Sequence, residues 1–555
     1  MLRRVVSAFW VLVLLGAFAL GNVQAAPVCS DAPGDADWIL CEESARANLN
    51  IAPRGVTIGT TGNTAHGVHG RHTGSGHVLI SVRSGARPTQ RGVPQKPSTI
   101  TTSGSGAHGV YGEHRGDTHA VIIGIGDVET RTTITTSGGG AHGVYGHHTR
   151  GSGSVQIRID NAKVTTAERR AYGILGVVRG AANTGTLAID AQGGSVKTAG
   201  AFSHGIYGGH LGSGNIETAT GGGHAVTTTG PNAHGIYGEH RGSGNIEIAT
   251  GGGDTVTTTG RNAHGVVAYH SGTAPARRMT VTIGGTVDAS GVGARGVRVG
   301  RVLSEGAPIG VAALDAEGLR QQTVIVNGRV HGGSGTNAAG VFLAGGGRVV
   351  IGPKGSVGAA SGIAILATGD VPPPNPNPDN IQVIKPRLRV DMNLAGRRVA
   401  EAIGDDWIIN DGGGTTIYVN DVKLHDADTG VTDRAAPNGA RNVRIKADGV
   451  RVTDRTTDPW TISERAVGVI ADRDFSAADV EEPTPPTPPT PPMCPEGQVG
   501  TPPNCTEPPP PVFIEEYAPR AAVYEALPGF LFRLGAQGVE DEPIAWADSP
   551  GVLRM

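Results

Sequence analysis

The chain has 555 residues, of which 89 are glycine, about 16% against an average usage of roughly 7%. With 4% aromatic and 17% charged residues, a wide globular core is excluded, because few bulky side chains exist to fill one. Glycine does not fall on every third position, which excludes collagen, and 38% hydrophobic residues with a net charge of −3 exclude wholesale disorder. The balance of 46 Lys+Arg against 49 Asp+Glu leaves no basic footprint, so nucleic acid is not expected as a partner.

The N-terminus reads as a secretory signal over residues 1–25. Arg3 and Arg4 precede the apolar stretch Ala8 to Leu20, and Val23-Gln24-Ala25 supplies small residues at a cleavage site. The apolar run is shorter than the ~20 residues a membrane span needs. Residues 26–50 are expected to form an N-terminal cap holding a disulfide. Cys29 and Cys41 lie 12 apart, Cys494 and Cys505 lie 11 apart, and more than 450 residues separate the pairs. Short loops close at lower entropic cost, so Cys29–Cys41 and Cys494–Cys505 is the expected pairing of the three possible. Neither spacing suits zinc.

Over 51–370 the tetrapeptide Ala/Ser-His-Gly-Val/Ile recurs at His66, His108, His142, His204, His234 and His264. Ala171-Tyr172-Gly173-Ile174 and Ala294-Arg295-Gly296-Val297 hold the phase, giving steps of 34, 30, 32, 30, 30 and 31 residues from His108 onward. A fixed period of this length means one supersecondary unit stacked on its neighbours. In the unit starting at Ala233, strand-like pieces cover 233–240, 245–249 and 255–259, separated by Gly242-Ser243-Gly244 and Gly251-Gly252-Gly253. The expected fold is therefore all-β, a right-handed parallel β-helix or similar solenoid of ~30-residue repeats. About ten turns at ~4.8 Å make a rod ~50 Å long.

Histidine is the most suggestive residue. A second His follows six residues later in His66/His72, His108/His114, His142/His148, His204/His210, His234/His240 and His264/His270. An even spacing puts both on one strand face, and stacking makes two columns. Such columns are candidates for a transition metal or for collective protonation near pH 6; the plainer reading is that His repeats with the unit, as Thr and Gly do. Arg115-Gly116-Asp117 matches a sequence that many adhesion receptors recognise, at an expected corner, although a single change from Arg241-Gly242-Ser243 creates it. No nucleophile elbow, Walker loop or His-Glu-x-x-His occurs, so no catalytic residue and no cofactor is expected. Asp405, Asp406 and Asp411 gather around Trp407 and read as a loop surface.

A Pro/Asn-rich spacer fills 371–380, and 381–480 resumes as a charged, β-rich cap or continuation that closes the solenoid. A stiff Pro-rich linker follows over 481–511. The segment 512–555 opens with Phe513-Ile514-Glu515-Glu516-Tyr517-Ala518-Pro519-Arg520 and continues through Ala521 to Pro528.

That segment resembles the one leading into the translocator barrel of proteobacterial autotransporters, and the order signal, Gly-rich repeat, Pro-rich tether resembles their passengers. The resemblance implies export to the outer membrane and cell surface, or release. It also implies an adhesive or virulence role toward host cells, matrix or glycans, or self-association. After Leu534 only 21 residues follow, fewer than three barrel strands require. The barrel is therefore expected in another frame, in cis, or as a separate partner in trans; with neither, the chain would stay periplasmic. An alternative is a polysaccharide-acting enzyme on the same fold, and another a His-ladder metal-binding rod.

Overall fold

The computed structural model describes residues 29–30, 39–44, 46–85, 96–116, 118–127, 131–270, 278–301, 321–335, 338–368, 387–395, 399–404, 406–410 and 415–425. It also describes the strands 443–447, 450–453, 466–471, 499–501 and 504–506. The expected leader 1–25, the spacer 371–380, Asp117, Cys494 and the segment 512–555 lie outside these residues. No helix among the described residues is long and apolar enough to cross a membrane.

The chain winds into a parallel β-solenoid with three sheets of stacked short strands, as the repeat predicts. Each rung places one strand in each sheet. In one rung these are Ile236–His240 (first sheet), Ile246–Thr250 (second) and Thr255–Thr258 (third), and each pairs in register with its counterpart above and below. Parallel stacking extends past 51–370 on both sides. It starts with Ile39–Glu43 on Val68–His72 and runs to Leu388–Met392 on Thr415–Val419. An antiparallel pair closes each end, Cys29–Ser30 on Ile39–Glu43 and Thr415–Val419 on Val422–His425. Such closures stop an open parallel edge from templating further strands. The strands Val443–Ala447, Val450–Thr453 and Ala466–Ala471 form a separate antiparallel sheet.

Alternation along each strand fills a single narrow core. Val144, Ile174, Ile206 and Ile236 stack from the first sheet, and Ile157, Ile189 and Ile248 from the second. Ile134, Val164, Val196 and Val226 complete it from the third. The middle inward position of the first sheet is glycine in six successive rungs, Gly70, Gly112, Gly146, Gly176, Gly208 and Gly238. The facing branched side chains occupy the missing volume: a Cβ on Gly112 would lie 2.9 Å from Val121 Cγ1. Farther along, the same column reads Ala268, Val299, Leu343 and Ala367, while the second sheet carries Gly347 and then Leu388.

The Ala/Ser-His-Gly tripeptide is a corner and not the start of a strand; Ala233 to Gly235 precede the strand Ile236–His240. The residue before it takes a left-handed backbone conformation in every rung from Thr64 to Gly293, and Thr64 (φ 56°), Arg170 (φ 56°) and Phe202 (φ 57°) do so without being glycine or asparagine. A threonine five residues before the corner carbonyl bonds it, Thr228 Oγ1 to Ala233 O at 2.5 Å and Thr258 Oγ1 to Ala263 O at 2.6 Å.

The corner glycine admits nothing larger. At Gly205 a Cβ would meet Val226 Cγ1 at 2.4 Å and the Gly235 carbonyl oxygen at 2.6 Å. Gly205→Ala is expected to cost roughly 2–3 kcal/mol. Phe202→Gly, which frees a bulky residue from the left-handed region, gains up to about 1 kcal/mol. Urea unfolding of the full chain reads both signs.

Candidate functional site

The two histidines of each repeat do not share a face, contrary to the even spacing. The turn at the corner glycine falls between them and resets the alternation. One histidine lies at the corner beside the outward tyrosines, as in the His234–Tyr237 ring pair at 5.3 Å. The other ends the first-sheet strand on its inward side, fully buried at His114, His148, His210 and His240.

The corner column stacks face to face through His66, His108 and His142, continues through Tyr172, and resumes at His204, His234 and His264, with ring centroids 4.7–5.0 Å apart. Each imidazole Nδ1 accepts the backbone N–H of the corner residue one rung on. The pairs are His108 to His66, His142 to His108, Tyr172 to His142, His234 to His204 and His264 to His234, all at 3.0 Å, and Arg295 to His264 at 3.1 Å. An accepting Nδ1 carries no proton, so these rings are neutral. Burial holds His108 well below its ordinary range and pulls His142 down to about 3, with stacked neighbours adding charge repulsion.

The inner column is equally committed to the backbone. Nδ1 of His72, His114, His210 and His240 accepts the N–H of Gly74, Gly116, Gly212 and Gly242. Nε2 of the same four rings sits 2.7–2.8 Å from the carbonyl of Ala47, Gly76, Gly185 and Gly214. Where Val178 interrupts the column, buried Asn183 takes over both tasks. Its amide donates to Gly153 O at 3.0 Å, and its oxygen accepts Gly185 N–H at 2.7 Å. An amide that replaces an imidazole in this way marks the column as loop fastening. Burial lowers His114 and His210 to about 4, partly opposed by the carbonyl bonds to Gly76 and Gly185. Among the described residues no group of three His, Cys, Asp or Glu converges as metal ligands would. The candidate ligands from His108 to His264 and from His114 to His240 spend Nδ1 on amides, and His148 and His270 stack on His114 and His240.

Arg115 of the adhesion-type tripeptide donates Nε to Glu113 Oε1 at 2.8 Å, and Gly116 N–H is bonded to His114, so the arginine is already engaged within the chain. Cys41 is buried and disulfide-bonded, and the backbone places Cys29 directly opposite it. Cys505 lies in the strand Asn504–Thr506. Asp406 accepts the N–H of Ala359 at 2.7 Å, while Asp405 and Asp411 lie outside the described residues.

Sequence reasoning missed a concave site, a cleft of about 590 Å3 on the outer face of the first sheet. It exists because the repeat degenerates there. The outward pair reads Tyr111/Glu113, Tyr145/His147, Leu175/Val177, Tyr207/Gly209 and Tyr237/Glu239 in successive rungs. Leu175 and Val177 are short, and Gly209 has no side chain. Tyr207 turns into that space: its ring makes 15° with His204, whereas Tyr145 and Tyr237 stand at 79° and 88° to the histidines of their own rungs. A Cβ on Gly209 would lie 2.9 Å from Tyr207 Cε1.

The turned Tyr207 donates its hydroxyl to Glu239 Oε2 at 2.7 Å, and Arg241 Nε donates to Glu239 Oε1 at 3.0 Å. Burial first, then the Glu239 charge, lifts the Tyr207 hydroxyl well above its ordinary value, so it keeps its proton. Glu239 is the only carboxylate lining the cleft among the described residues, whereas Arg170, Arg179 and Arg241 all border it. The visible sequence signal was Gly208-Gly209 where neighbouring units read Gly112-Glu113 and Gly238-Glu239.

This arrangement defines a parallel β-solenoid repeat protein that displays its side chains in columns, with a break in the pattern at the Leu175 and Tyr207 rungs. Comparison with protein-family models, curated proteins and solved structures finds no match to the chain.

Two measurements test the imidazole ladders. The folded histidine values lie below the unfolded value near 6.5, so their stabilisation is complete above pH ~6.5. It is lost on acidification toward the folded values of about 4 and about 3. Each such group forfeits about 1.4 kcal/mol per pH unit within that window, seen as a falling urea midpoint. His240→Ala orphans the Gly242 N–H and the Gly214 carbonyl and is expected to cost about 2–4 kcal/mol. A melting temperature within a degree or so of the parent would refute that role.

Proposed function

We propose that this chain is the passenger of an autotransporter-like surface protein, an adhesive rod that binds without catalysis. The observation that carries the reading is the outer face of the first sheet. There His69, Tyr111 and Tyr145 stack at 4.8 Å, with Glu113, Arg71 and Arg115 paired beside them. Aromatic rings and charged pairs in columns offer many equivalent contacts spaced by one rung, which suits recognition spread over an extended surface. Host-cell surfaces, matrix, glycans or sister rods are the partners such a face fits, reached by export through an outer-membrane barrel supplied in cis or in trans.

The polysaccharide-hydrolase alternative is weaker on the chemistry. Hydrolysis of a glycoside calls for two carboxylates flanking the bond, and among the described residues Glu239 is the one carboxylate that lines the cleft. A lyase base would need to give up its proton readily, and Tyr207 is held protonated. Beads carrying the purified full chain are expected to be retained on cultured animal cells and on immobilised glycans. In parallel, polysaccharides incubated with the chain are expected to yield no new reducing ends. Turnover of any of them would replace the adhesive reading with an enzymatic one.

A further inference from the structure

We infer that the cleft around Tyr207 is a binding site for an acidic oligosaccharide, an inference that rests on the adhesive reading and gives it a ligand class. Three observations combine. First, the cleft's charge is unbalanced. Its carboxylate, Glu239, is already bonded to Tyr207 and Arg241, and among the described residues the Arg170 and Arg179 guanidinium groups have no ion-pair partner. An anion with planar oxygens is what such forks hold, in paired hydrogen bonds.

Second, the cleft is walled by aromatic rings that run parallel. Tyr172 and Tyr207 have ring centroids 5.4 Å apart at 15°, and both are only partly buried. Their faces are stacked on His142, His204 and each other, so it is their edges, with Leu175 and Val177, that give the cleft an apolar wall for a pyranose, while the surrounding donors take its hydroxyls and its acid group. Third, the site is elongated. It extends from the Tyr145 rung to the Arg241 rung, three rung spacings and so about 14 Å. That length matches a short chain of sugars better than a small anion.

The local chemistry also explains the departures from the repeat. Gly209 makes the floor that lets Tyr207 lie flat. Arg170 occupies the left-handed corner position (φ 56°) that Gly140 and Phe202 take in the flanking rungs, and from there it borders the cleft.

Tetragalacturonate titrated into the full chain by calorimetry is the test, with cellotetraose as the neutral counterpart. The parent is expected to bind tetragalacturonate at least tenfold more tightly than cellotetraose, with affinity falling as sodium chloride is raised. Arg170→Ala with Arg179→Ala, both at exposed positions, should weaken binding at least tenfold. Gly209→Glu should abolish it while leaving the far-UV spectrum intact, because Glu113 and Glu239 already occupy this register. No binding by the parent at millimolar sugar overturns the inference, as does unchanged binding by both variants. Bead retention on cells separates this from the adhesive reading: retention without tetragalacturonate binding sinks only the site, and tetragalacturonate binding without retention sinks only the adhesion.

Discussion

At six corners one rung is tied to the next by a backbone amide that donates to an imidazole nitrogen. The rest of the architecture follows from that link. The amide of one corner histidine needs Nδ1 of the histidine below it, so the ring must be neutral, aligned and repeated. Beside four of these histidines a tyrosine three residues on repeats on the outer face, at Tyr111, Tyr145, Tyr207 and Tyr237. The period in the sequence is the record of hydrogen bonds that recur from rung to rung. The inner column does the same for the loop that follows the strand, where the exchange of histidine for Asn183 keeps both bonds.

Much of the fold was legible because a solenoid writes its structure along one dimension. The period, the three strands per rung and the glycine-marked corners depend on local chemistry. What was not legible depends on where the chain turns. The separation of His234 and His240 by six suggested one face, and only the placement of the corner at Gly235 shows that the rings lie on opposite sides of the sheet. The start at Ile39 was hidden because Ile39–Glu43 lacks the His-Gly signature and is recruited by pairing with Val68–His72.

The cleft was hidden for a different reason. It is made by what is missing at 175, 177 and 209, and an absence has meaning only once the outward positions are known. A repeat protein offers function two routes, a property summed over identical rungs and a place where the rungs stop being identical. The Tyr207 rung is of the second kind: a glycine, a turned ring and a redirected hydroxyl make a cavity in a surface that is elsewhere filled by columns of side chains.

The large-against-small pairing in the core has a genetic consequence. From Gly70 to Gly238 the inner partners are interchangeable between rungs, so unequal crossing-over within that block joins like to like. Removing 216–245, for instance, would bring Asn215 to Ile246 in a context identical to the one it left. The rod can thus change length by whole rungs from generation to generation while its packing is untouched. From Ala268 onward the column carries side chains, Ala268, Val299 and Leu343, and a recombinant crossing that boundary would set a branched side chain where the facing strand is filled against glycine. The heritable length variation this fold permits should be confined to its glycine-cored portion, with the C-terminal rungs fixed in number.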